Sequence, residues 1–113
     1  MVSHAEGVSI IASGNISHVE GQYNVADTAN IYAHIIGNGT NDTARSNAFT
    51  VDWSGNVIAS GTTTSTQFKL SALNTAPASA TDTGKLGEIR ITSGYVYVCV
   101  GTNTWVRSAL TTW

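Results

Sequence analysis

Near the N-terminus the segment Ser3-His4-Ala5-Glu6-Gly7 returns fourteen positions later as Ser17-His18-Val19-Glu20-Gly21, with four of the five residues identical. A weaker third copy, Ala33-His34-Ile35-Ile36-Gly37, follows sixteen positions on, which requires a two-residue insertion placed near Asp27-Thr28. All three histidines of the chain, His4, His18 and His34, therefore occupy one position of the repeat. A period of 14 is too short for a helix-pair solenoid, whose units run to roughly 20–45 residues. Between copies, small and apolar residues alternate and Gly and Asn bound them, so each repeat predicts one coil of a β-roll or β-solenoid, made of two short strands and two turns.

Composition agrees with an all-β fold. Ser, Thr, Asn and Gly make up 48 of 113 residues, and these types rank low in helix propensity and compete for backbone hydrogen bonds. The charged fraction is 11% and the net charge is −2. Without a basic cluster the chain lacks the means to neutralise phosphates, so nucleic acid is not an expected partner. No apolar stretch approaches the ~18 residues of a membrane span. The N-terminus has neither the basic nor the apolar portion of a secretory signal, and membrane insertion is not expected. A single cysteine, Cys99, excludes an internal disulfide framework. Flanked by valines, it reads as a small buried hydrophobe rather than a nucleophile.

After a turn-rich stretch, Gly37 to Thr43, the run Ser46-Asn47-Ala48-Phe49-Thr50-Val51-Asp52-Trp53-Ser54-Gly55-Asn56-Val57-Ile58-Ala59 alternates and then turns at Ser54-Gly55-Asn56. It predicts a hairpin whose apolar face needs partners, expected from neighbouring chains, because isolated hairpins are marginal. Gly61 to Thr66 predicts extended backbone, Gln67-Phe68-Lys69-Leu70 a further short strand, and Asn74 to Thr83, with the only proline, a linker. Beyond it, Gly87-Glu88-Ile89-Arg90-Ile91-Thr92, Tyr95-Val96-Tyr97-Val98-Cys99-Val100 and Trp105-Val106-Arg107-Ser108-Ala109 predict a three-stranded meander with a two-residue loop at Ser93-Gly94. Its middle strand is apolar on both faces, which marks it as central.

The Ser-His-x-Glu-Gly repeats resemble the 14-residue head repeats of YadA-type trimeric autotransporter adhesins, and more closely the variant of phage tail-fibre proteins. Residues 47–61 are similar to a segment found before the terminal domains of phage tail fibres and tailspikes. The line from Leu70-Ser71-Ala72-Leu73-Asn74 through Gly87-Glu88-Ile89-Arg90 and Tyr95-Val96-Tyr97-Val98-Cys99 to Thr102-Asn103-Thr104-Trp105 and Trp113 resembles the C-terminal module of such fibres. It departs from that module at Val106-Arg107-Ser108, where Lys-Arg is common. The resemblance implies a homotrimeric all-β fibre divided into a repeat β-roll (1–40), a hairpin shaft with a Thr-rich extended segment (41–66) and a C-terminal tip with a small antiparallel meander (67–113). It further implies a virion component joined to the rest of a tail fibre upstream, whose tip meets a bacterial surface glycan or other host receptor. The alternative readings are a bacterial adhesin head and a non-catalytic part of a glycan-degrading tailspike.

Candidate site residues follow. Tyr95, Tyr97, Trp105 and Trp113 are candidates for a sugar-stacking platform, against the alternative that they fill an interface between chains. His4, His18 and His34 are expected to form a structural ladder near the ~4.8 Å strand spacing, each imidazole bonding to a turn carbonyl or to Glu6 or Glu20. The competing reading has three chains gathering imidazoles around an ion on a common axis; no metal and no cofactor are expected. A glycan-cleaving enzyme would need paired carboxylates in a groove. Asp42, Asp52 and Glu88 are the only candidates and are scattered, so no catalytic residue is expected.

Overall fold

The computed structural model describes residues 2–113, which contain eight strands and no helix. They fall into two units, one ending at Ser65 and the other beginning at Thr66. In the first, β1 (His4–Val8), β2 (His18–Gln22), β3 (Tyr32–Asn38), β4 (Asn47–Asp52) and β5 (Val57–Ala59) form one open sheet in that order. In the second, β6 (Ile89–Ile91), β7 (Tyr95–Gly101) and β8 (Thr104–Ala109) form another. Neither sheet closes into a barrel.

Repeat spacing sets the register of the first sheet. The strands β1, β2 and β3 run parallel, with His4 opposite His18 and His18 opposite His34. Alternation then puts Ala5, Val19 and Ile35 on one face, joined by Thr50 of β4. Val19, Ile35 and Thr50 are buried there. Glycine is required where the coils touch: a Cβ on Gly7 would lie 1.9 Å from the Gly21 carbonyl oxygen, and one on Gly21 would lie 2.3 Å from that of Gly37. Both glycines also have positive φ, which side chains resist.

Each coil contributes one strand, not the two expected. Its other side is irregular and is held by side chains bonding to backbone. Asn24, fully buried, accepts from Ile11 N (2.8 Å) and donates to Ile11 O (3.0 Å), tying one coil to the next. Asp27, also buried, accepts from Ile31 N and Tyr32 N at 2.9 and 2.8 Å. Left-handed residues at Ser9, Ile16, Tyr23 and Asn30 prevent a continuous second ladder there.

The hairpin forms as expected, but one of its neighbours is β3 of the same chain, paired antiparallel to β4. Repeat and hairpin therefore share a sheet. Asp52 fixes the turn: its carboxylate accepts from Ser54 N and Asn56 N, both at 2.8 Å, and from Asn56 Nδ2 at 2.7 Å. Gly55 supplies the positive φ. Residues 61–70 form no strand, and Phe68 is exposed.

In the second unit the expected linker packs against the sheet instead. Ala80 O accepts from Trp105 N (2.8 Å), Asp82 O accepts from Trp105 Nε1 (3.0 Å), and Gly84 and Asn103 exchange two bonds. Tyr97, Cys99 and Trp105 form the core, with Tyr95 packed against it.

Candidate functional site

Three imidazoles stack along the outer face of the first sheet. Ring centroids are 4.8 Å apart for His4 and His18 and 4.9 Å for His18 and His34. Two of the three, His4 and His34, lie beside carboxylates. His4 Nε2 lies 3.5 Å from Glu6, within its own coil, while His34 Nε2 lies 3.3 Å from Glu20 Oε1 of the preceding coil. Along this face the character changes from polar to apolar: the histidine row continues into Val51 and Val57, and the glutamate row into Ile36, Phe49 and Ala59.

The four aromatic candidates occupy different environments. Tyr97 and Trp105 are 8% and 5% exposed, covered by their own chain rather than facing solvent. Tyr95 is half-buried, its ring 5.8 Å from that of Tyr97. Trp113 is fully exposed. They do not form a continuous exposed platform. Sequence reasoning passed over Arg107, whose guanidinium lies 4.2 Å from the Tyr95 ring centroid. Its position opposite Tyr97 in the β7–β8 register, on the tyrosine face, was available from alternation. Together with Tyr97, Trp105 and residues 77–80 it lines a cleft of about 310 Å³. Cys99 is buried and free, its Sγ 3.0 Å from Gly101 O.

The opposite face of the second sheet is aliphatic. Register places Ile89 beside Val98 and Val98 beside Val106, with Ile91 beside Val96. Ile89 and Val106 are 59% and 50% exposed.

Each acidic candidate is engaged locally. Asp42 pairs with Arg45, which also donates to Ser9 O and Asn24 O and so pins the loop to the coils. Asp52 closes the hairpin turn, and Glu88 binds the Arg90 guanidinium at 2.8 Å. The Asn56 side chain and the turn amides hold the Asp52 carboxyl below its ordinary range. Arg90, with Lys85 N, does the same for Glu88, and the amides of Ala78 and Thr83 do so for Asp82. A depressed carboxyl pKa stabilises the fold above the unfolded value, and that contribution is lost as pH falls through the folded one. The turns closed by Asp52 and Asp82 and the Glu88–Arg90 contact are therefore expected to loosen on acidification below about pH 4, the ordinary carboxylate range. Melting followed by circular dichroism from pH 6 to pH 2 should decline there; a flat profile would count against these contacts.

No protein-family profile matches the chain, and no solved structure matches it. Among characterised proteins, a stretch of 36 residues is 56% identical to a capsule K30/K69-specific depolymerase of Klebsiella phage K5-2. The match spans 32% of this chain and 4% of the depolymerase. A segment of the chain is thus similar to a short part of a phage capsule depolymerase, within an all-β fold of two open sheets.

Proposed function

We propose that the chain is a structural and adhesive segment of a phage tail fibre or tailspike, working as a homotrimer with its C-terminal unit toward the bacterial surface. The observation that carries the assembly is the open aliphatic face of the second sheet, Ile89, Ile91, Val96, Val98 and Val106. Large exposed apolar faces mark interaction surfaces. Across the described residues, seventeen large hydrophobic residues are exposed and five hydrophobic residues are buried, a balance that suits a chain completed by copies of itself. The phage setting draws on the depolymerase match, and the parallel coils supply a stiff shaft.

In this reading the chain binds without turnover, because Asp42, Asp52 and Glu88 are each committed to a local contact. The receptor is a bacterial surface glycan, with capsule as the first candidate. Fluorescently labelled protein is expected to adsorb to encapsulated Klebsiella cells and not to capsule-deficient ones, while purified capsule keeps its viscosity. Adsorption independent of capsule would remove the glycan, and release of reducing ends would overturn the non-enzymatic part.

A further inference from the structure

The histidine ladder contains one place where three donor side chains converge. Parallel register sets His18 beside His34 on adjacent strands. Glu20, two residues along β2, leaves the sheet on the same face as His18. One ligand atom from each of His18, Glu20 and His34 lies within 4.8 Å of the others, and among the described residues this is the only group of three or more such side chains so placed. His34 Nε2 and Glu20 Oε1 are already 3.3 Å apart.

We propose that His18, Glu20 and His34 bind a divalent transition-metal ion of the zinc, nickel and copper class, one per chain. Two imidazole nitrogens and one carboxylate oxygen form a mixed donor set suited to these ions, whereas calcium and magnesium prefer oxygen donors alone. Metal–donor bonds of about 2.0–2.2 Å in a tetrahedron place donors roughly 3.3 Å apart. The His34–Glu20 pair has that spacing. His18 must close by at most about 1.5 Å on the same bond lengths, within reach of a side chain at a solvent-accessible site. A fourth position stays open to water.

The neighbouring coils explain why there is one site. At the N-terminal edge Glu6 turns to His4 of its own coil. On β3 itself the glutamate position is Ile36, and beyond β3 the next residue in the histidine row is Val51. The ion therefore sits between two coils of one chain, unlike the site on a common axis considered from sequence, and it clips β2 to β3. The proposal is independent of how many chains assemble.

Calorimetric titration of the EDTA-treated full chain with zinc chloride is expected to give one ion per chain. Glu20→Gln and His34→Gln should each weaken binding at least about tenfold, the lower end of what loss of even a supporting partner of a metal ligand produces. His4→Gln should leave it within about twofold. Copper(II) added to unsubstituted ¹⁵N-labelled protein should broaden the resonances of residues 18–20 and 34 first, a readout that does not depend on any variant folding. No zinc binding at millimolar concentration, equal weakening by His4→Gln, or broadening centred on His4 or on the C-terminal unit would each overturn the site.

Discussion

Replacing Trp105 with alanine is expected to destabilise the C-terminal unit by about 3–5 kcal/mol, the usual cost of truncating a large buried aromatic. The ring is 5% exposed and lies between the β7–β8 strands and the 80–84 segment. A Cβ built on Gly84 would fall 2.6 Å from it. Removing the ring also leaves Asp82 O without its donor and uncovers the Arg90 guanidinium, 4.7 Å from the ring centroid. A unit this small has a total stability of roughly 2–7 kcal/mol, so Trp105→Ala should abolish its near-UV dichroism at room temperature. Trp105→Phe keeps most of the area and loses the indole bond, which costs about 1 kcal/mol. Gly84→Ala should approach the alanine variant at Trp105 by pushing on the same ring. If Trp105→Ala unfolds at the parental temperature, the tyrosine face is not this unit's core.

A second large effect is expected at Gly21. Its φ of +95° costs a side-chain-bearing residue about 1–3 kcal/mol, and the added carbon would meet the Gly37 carbonyl oxygen at 2.3 Å. Two coils must separate or the strand must twist, and the parallel register is lost with either. The glycines provide their own controls. Gly55 has positive φ but open space around its Cβ direction, so Gly55→Ala should show the backbone cost alone. At Gly61 neither applies, and alanine should change stability by no more than about 0.5 kcal/mol. Thermal melts of the three variants should rank Gly21, Gly55, Gly61 in decreasing damage; equal effects at Gly21 and Gly61 would contradict the stacked coils.

What could be read from the sequence follows from what side chains announce. Identical residues at a fixed offset stack when coils stack, so Ser-His-x-Glu-Gly revealed both the parallel register and the histidine row. Alternation in Tyr95 to Val100 placed the tyrosines and valines on opposite faces. Other features had no such sign. Residues 74–83 looked like a linker because they meet the sheet largely through backbone groups, the amide of Asn74 and the carbonyls of Ala80 and Asp82. The second side of each coil looked like strand because nothing in Ile16 or Tyr23 signals positive φ. Gln67 to Leu70 alternates but forms no strand. The candidate metal group was hidden for a related reason: the motif suggests pairing within a coil, whereas Glu20 crosses to His34 of the next one.

The aliphatic face of β6, β7 and β8 leads to the central claim, that the chain is completed by copies of itself. Mass by light scattering on the eluting protein at micromolar concentration tests it most directly. A single species at three times 11.8 kDa is expected, persisting on dilution because burying several aliphatic side chains per copy favours association. A stable, soluble species of 11.8 kDa would contradict it.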